Sequence, residues 1–87
     1  MKLKDGFVMR TIAGKDIALP SGDELDLNVM ITLNETGKYI WKQLETETTI
    51  DQIVEKILRD YRVIPDVARN YVEEFIDTLR SHGFIEE

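Results

Sequence analysis

Eighty-seven residues, 43% hydrophobic and 32% charged, with a formal net charge of −6 and no cysteine, are the measure of one small globular domain, residues 1–87, whose core must use nearly all its apolar side chains. The lack of cysteine excludes a disulfide framework and a thiolate metal site; no apolar run approaches the ~20 residues of a membrane span, so no membrane partner is expected. The charged start Met1-Lys2-Leu3-Lys4-Asp5 is unlike a secretory signal, and the expected location is cytoplasmic.

Phe7 to Ala13 alternates loosely, with Val8 and Ile12 on one side and Phe7, Met9 and Ala13 on the other. Gly14-Lys15 suits a two-residue type II′ turn, glycine first, into a short return strand from Asp16 to Leu19. Pro20 cannot donate to a ladder and stops that strand, and Pro20-Ser21-Gly22-Asp23 is a turn. The cleanest strand follows. Leu25, Leu27, Val29, Ile31 and Leu33 point one way, and Asp26, Asn28, Met30 and Thr32 the other, the alternation of a strand with one face on the core.

Asn34 changes strand into helix. As an N-cap, its side-chain oxygen can accept from the backbone N–H of Thr36 or Gly37. Leu33, Gly37, Ile40, Trp41 and Leu44 then share one helical face. Glycine inside a helix costs roughly 0.8–1 kcal/mol relative to alanine, so close approach of another backbone is expected at Gly37, with Trp41 covering the joint. A second helix starts at Thr49, whose capping box with Gln52 is a local start signal. Its apolar stripe runs Ile50, Ile53, Val54, Ile57, Leu58, Tyr61, and Arg62-Val63-Ile64 breaks it. Pro65 suits the first turn of a third helix, which extends to His82 before Gly83 at the C′ position. Phe84-Ile85 is expected to fold back on the core. Three strands followed by three helices define an α+β domain: a three-stranded antiparallel sheet with a three-helix bundle packed on one side.

Two places stand out as candidate sites. On the third helix, apolar residues cover about half the circumference, whereas a helix facing one core needs a stripe of roughly 100°. Ala68, Phe75 and Leu79 would centre on the core, leaving Val67 and Tyr71 as one margin and Val72 and Ile76 as the other. The third strand, in a simple meander, lies at a sheet edge whose unpaired N–H and C=O groups can accept a peptide as an added strand. From the pattern alone, Asp26 and Asn28 serve chiefly to discourage aggregation there. His82, the only histidine, lacks neighbours at metal-ligand spacing and suits a solvent-facing helix C-terminus. Arg69–Glu73 and Asp77–Arg80 are spaced as ordinary surface pairs. No nucleophile, metal set or phosphate loop surrounds those carboxylates, so no catalysis is expected. Ser21, between Pro20 and Gly22 ahead of a strand, is not placed as a carrier-protein attachment serine would be.

Leu33-Asn34-Glu35-Thr36-Gly37, followed by Ile40-Trp41 and Leu44, resembles the signature of the PqqD-like family. These are small peptide-binding proteins, also called precursor-peptide recognition elements of ribosomally synthesised, post-translationally modified peptides. The resemblance extends from Lys4-Asp5-Gly6-Phe7 to Gly83-Phe84-Ile85. It implies a winged helix-turn-helix-like arrangement and a leader peptide received between the third strand and the third helix. The expected peptide-binding residues are therefore Leu25, Asp26, Leu27, Asn28, Val29, Met30 and Ile31, facing Val67 and Tyr71. It further implies a non-catalytic adaptor without cofactor, serving a radical S-adenosylmethionine enzyme or another peptide-modifying enzyme. Two alternatives belong to other classes. A winged-helix DNA-binding regulator would place the third helix in the major groove, against the net charge of −6 and Glu73, Glu74 and Asp77 on that helix; no nucleic acid is expected. A structural homodimer would pair through the third strand, and the expected state is a monomer or weak homodimer.

Overall fold

Three of the chain's strands form a meander, and the computed structural model, which describes residues 1–21 and 30–87, follows it from β2 (Phe7–Ile12) through β3 (Lys15–Pro20) to β4 (Ile31–Leu33). The sheet order is β2-β3-β4, antiparallel throughout, with Phe7 opposite Pro20 and Ala18 opposite Ile31. The β2–β3 turn differs from expectation by one residue. Ala13 and Gly14 form it, with φ of 53° and 79°, and positive φ at both central positions belongs to type I′. Gly14 accepts that conformation freely; Ala13 adopts it because the I′ twist matches the flanking strands.

β4 delivers the chain to α1 (Glu35–Gln43) through Asn34, whose side-chain oxygen accepts from the Gly37 N–H at 2.8 Å. α2 (Ile50–Asp60) begins with the full capping box of Thr49 and Gln52, and α3 (Pro65–Ser81) ends where Gly83 turns the chain at φ 78°. A second sheet escaped the sequence pattern. β1 (Lys2–Leu3) pairs with β5 (Ile85–Glu86), and the Leu3 N–H donates to the Leu44 carbonyl at 2.8 Å, so the chain's start straps the end of α1 to the returning Phe84-Ile85. The result is an α+β fold of two small antiparallel sheets, of two and three strands, with a three-helix bundle.

Trp41, Ile40, Leu44, Ile53, Val72, Ile76, Leu79 and Phe84 form the fully buried centre. Phe84 is its hub: its ring centroid lies 5.8 Å from Trp41, edge-on, and 4.3 Å from Phe7, joining α1, the sheet and the chain's end. Two helical faces depart from expectation. On α3 the core side is Ala68, Val72, Ile76 and Leu79, while Phe75 is only half-buried and Val67 is 56% exposed. α3 is rotated by about half a residue step from the position that would centre Phe75, and the Phe75 ring rests on α1. The expected backbone contact at Gly37 is in fact this ring: a Cβ on Gly37 would stand 3.0 Å from Phe75 Cε2. On α2, Ile53, Val54 and Ile57 are buried, but Leu58 and Tyr61 are exposed.

Ile64 at the N-cap of α3 supplies no capping hydrogen bond and is 67% exposed. Two stability measurements check this account. Trp41→Ala should destabilise the fold by about 3–5 kcal/mol in denaturant unfolding, the cost of truncating a core aromatic. Ile64→Asp should do the opposite, adding about 1 kcal/mol by supplying the missing cap and raising the melting temperature by about 4–8 °C.

Candidate functional site

Asn34 Oδ1 accepts a second hydrogen bond, from the Tyr71 hydroxyl on α3, at 2.9 Å. A carbonyl-type oxygen has two lone pairs, and here both are used: one closes the first turn of α1, the other holds α3 against the end of β4. Phe75, one turn after Tyr71, covers Gly37 in the same joint. Tyr71 and Phe75 are both half-buried and pack against the core.

This joint ties the end of β4 to α3, and each of the two elements has an open surface. β4 is the outer strand of its sheet: one edge pairs with β3, through Thr32 opposite Ile17 and Ile31 opposite Ala18. Its other edge has no paired strand among the described residues. An unpaired edge offers backbone donors and acceptors at the ~3.3 Å spacing of a strand. The second surface is the open face of α3, where Val67, Tyr71, Glu74, Phe75 and Thr78 follow one another along a single side of the helix. Tyr71, Glu74, Phe75 and Thr78 line a shallow recess of about 150 Å³. Glu74 has no ion-pair partner among the described residues, whereas Arg69 is held by Asp51 at 2.7 Å and Glu73 at 3.9 Å, and Arg80 by Asp77 and Glu87.

Of the residues expected from sequence to bind peptide, Leu25, Asp26, Leu27, Asn28 and Val29 lie outside the described residues. Met30 is half-buried immediately before β4, and Ile31 is half-buried within it. Val67 and Tyr71 lie on the open margin of α3; Val72 and Ile76, the other margin, are completely buried and are core residues. Sequence reasoning missed Phe75 as a wall residue, taking it for the centre of the core face. It also missed the Asn34–Tyr71 bond, which spans 37 positions and leaves no local signal.

Other features are placed apart. A cleft of about 1050 Å³ lies between α1 and α2 and is lined by Lys42, Gln43, Glu47, Gln52, Glu55 and Lys56 among others. His82 is half-buried rather than solvent-facing, its Nδ1 2.8 Å from the Thr78 carbonyl. Among the described residues no group of three or more His, Asp or Glu side chains could hold a metal ion, and no helix is long and apolar enough to cross a membrane. From the middle of α1, Tyr39 donates its hydroxyl to Asp60 at 2.6 Å, and its ring meets Tyr61 edge-on at 5.4 Å.

The fold is that of a known family of small α+β domains, and the sequence agrees. Residues 20–85 match the model of coenzyme PQQ synthesis protein D (PqqD), and the chain belongs to that family. Among solved structures, it is similar to "TbiB1 in Complex with the TbiA(beta) Leader Peptide", with a TM-score of 0.78 and 24% identity over 99% of this chain and 95% of that one. It is also similar to "Lasso peptide synthetase B1 complexed with the leader peptide", with a TM-score of 0.76 and 15% identity over 99% and 96%. At these identities the likeness is one of fold. No curated protein matches the chain in sequence.

Loss of aqueous solvation, reinforced by the bond to Asp60, pushes the Tyr39 phenol up from 10.0 to about 12. The Tyr39 hydroxyl, with help from Arg59, lowers the Asp60 carboxyl. Because the folded-state value of Tyr39 is raised, its contribution to stability is complete below pH 10 and is lost as pH rises through about 12. Ultraviolet titration at the tyrosinate band should show one of the three tyrosines ionising near 12, and Tyr39→Phe should remove that step.

Proposed function

We propose that this chain is a non-catalytic adaptor that binds the leader region of a ribosomally made precursor peptide and presents the remainder to a modifying enzyme. One observation carries the reading: Asn34, the residue that follows β4, accepts a hydrogen bond from the hydroxyl of Tyr71 on the open side of α3, while the outer edge of β4 has no paired strand among the described residues. An extended peptide added along β4 would satisfy that edge with main-chain hydrogen bonds, while its alternate side chains meet Val67, Tyr71 and Phe75. Membership of the PqqD family supports this, as does the likeness of the fold to two proteins described in complex with leader peptides. The peptide-binding residues on this reading are Met30, Ile31, Val67 and Tyr71, with Phe75 added, together with Leu25, Asp26, Leu27, Asn28 and Val29, which lie outside the described residues.

The modifying enzyme is proposed to be a radical S-adenosylmethionine enzyme, the usual second partner of PqqD-like proteins. The adaptor contributes effective concentration: with one end of a flexible substrate held, the other end samples the active site at far higher local concentration than in free solution. The chemistry belongs to the enzyme, so the adaptor itself needs no cofactor. DNA binding is not supported. The exposed residues of α3 include Asp66, Glu73, Glu74 and Asp77, and both its arginines already face carboxylates, which repels phosphate.

The test uses a synthetic leader from the short open reading frame beside this gene. Amide shifts on titration should concentrate in Met30–Leu33 and along Val67–Thr78. Val67→Ser, at a position 56% exposed, should weaken binding by about 1–3 kcal/mol and leave unfolding unchanged. Shifts confined to α1 and α2, with Val67→Ser binding as the wild type does, would reject this site.

A further inference from the structure

Every residue from Leu58 to Val67 is exposed, yet Leu58, Tyr61, Val63, Ile64, Pro65 and Val67 are apolar. Turns between helices are ordinarily built from polar residues and glycine; this one is an apolar corner. Its most exposed member, Ile64, occupies the N-cap of α3, where a serine, threonine, asparagine or aspartate would close the first turn. The chain forgoes that stabilisation and places a bare aliphatic side chain in water. Tyr61 is braced from behind by the Tyr39 ring, which the Asp60 bond fixes in turn, so the aromatic is presented in one orientation.

Charge distinguishes the corner as well. Between Lys56 and Arg69 the chain carries four cations, Lys56, Arg59, Arg62 and Arg69, against Asp60 and Asp66, within a chain of net charge −6. Asp60 is engaged by Arg59 and Tyr39, and Arg69 by Asp51. Lys56 and Arg62 have no carboxylate partner among the described residues. An apolar centre with an aromatic and a basic rim is the composition of a protein interface rather than of solvent-facing surface.

We infer that this α2–α3 corner is where the peptide-modifying enzyme docks, through an apolar pocket bordered by carboxylates. The inference rests on the adaptor reading above and extends it, since an adaptor holding a peptide needs a second surface that the peptide leaves clear. The corner meets that need by continuity: Val67, its last residue, begins the α3 wall that ends with Tyr71 and Phe75. A peptide leaving the wall at the N-terminal end of α3 therefore passes directly onto whatever covers the corner. A second copy is the poorer occupant. A two-fold contact centred on the corner would set Lys56 and Arg62 against their own equivalents, like charge against like.

The experiment measures three quantities on each variant: affinity for the purified modifying enzyme encoded beside this gene, affinity for the synthetic leader, and melting temperature. Ile64→Asp should bind the enzyme about tenfold or more weakly while melting higher, so loss of fold cannot explain the loss of docking. Arg62→Glu should weaken docking in the same way. Ile12→Asp, which changes an exposed aliphatic residue on β2, should not. Leader affinity should stay within about twofold in all three, because none lies on the β4–α3 wall. Wild-type enzyme affinity in Ile64→Asp and Arg62→Glu, or an enzyme with no affinity for the wild-type domain, overturns the inference even where the leader binds. Sedimentation showing a wild-type dimer that Ile64→Asp dissolves also overturns it. A leader that binds no variant and not the wild type would instead sink the adaptor reading itself.

Discussion

One oxygen atom, Asn34 Oδ1, holds three elements in register. It caps α1 through Gly37 and anchors α3 through Tyr71, while its own backbone is the continuation of β4. Individually these are ordinary hydrogen bonds, each worth about 0.5–1.5 kcal/mol net. Their value is geometric: a strand edge and a helix face can act as two walls of one site only if the angle between them is constant. Gly37 completes the arrangement. With no Cβ it lets the Phe75 ring lie on α1, where an added carbon would stand only 3.0 Å from that ring. The helical penalty of glycine is thus spent on seating α3 at the depth that leaves Tyr71 in reach of Asn34.

The packing of α3 follows from the same constraint. Val72, Ile76 and Leu79 are wholly buried, which commits one side of the helix to the core. The Val67–Tyr71–Phe75 side is covered only in part, by Asn34 and Gly37 at the start of α1, and the rest of it is left open. Glu74, with no ion-pair partner among the described residues, adds one negative charge at the recess; Arg69 and Arg80, one turn or more away, are already satisfied. This side of α3 is therefore largely apolar with a single acidic point.

What the sequence made legible was what is local. Asn34 and the Thr49–Gln52 box were readable because a cap acts within four residues, and Gly83 because a C′ glycine does the same. The strand-to-helix order followed from a change in apolar period between Leu33 and Ile40. The side of α3 that faces inward was not readable. Seven apolar residues spread over half a helix fit more than one rotation, and what selects the rotation is the Phe75–Gly37 contact across 38 positions. β1 and β5 were hidden for a similar reason: two-residue strands have no periodicity, and their pairing joins the two ends of the chain. Leu58 and Tyr61 continue the α2 stripe in sequence, yet both are exposed at the end of the helix, Tyr61 with the Tyr39 ring against its edge.

The division of this small domain into a rigid joint, an open wall and an exposed corner has a physical logic. A core of this size must be used fully to stabilise the fold, so apolar residues left outside it represent stability forgone. On α3 and the preceding loop that loss is concentrated: Val63, Ile64 and Val67 are exposed in succession, at the end of the helix opposite the Phe84 hub. The buried half, from Val72 to Leu79, is held by the aromatic cluster and by the β1–β5 strap, so it can tolerate an uncapped and apolar beginning. One helix thus serves both ends of the problem. One side, from Ala68 to Leu79, secures the fold, and the other, from Val67 to Thr78, is left open.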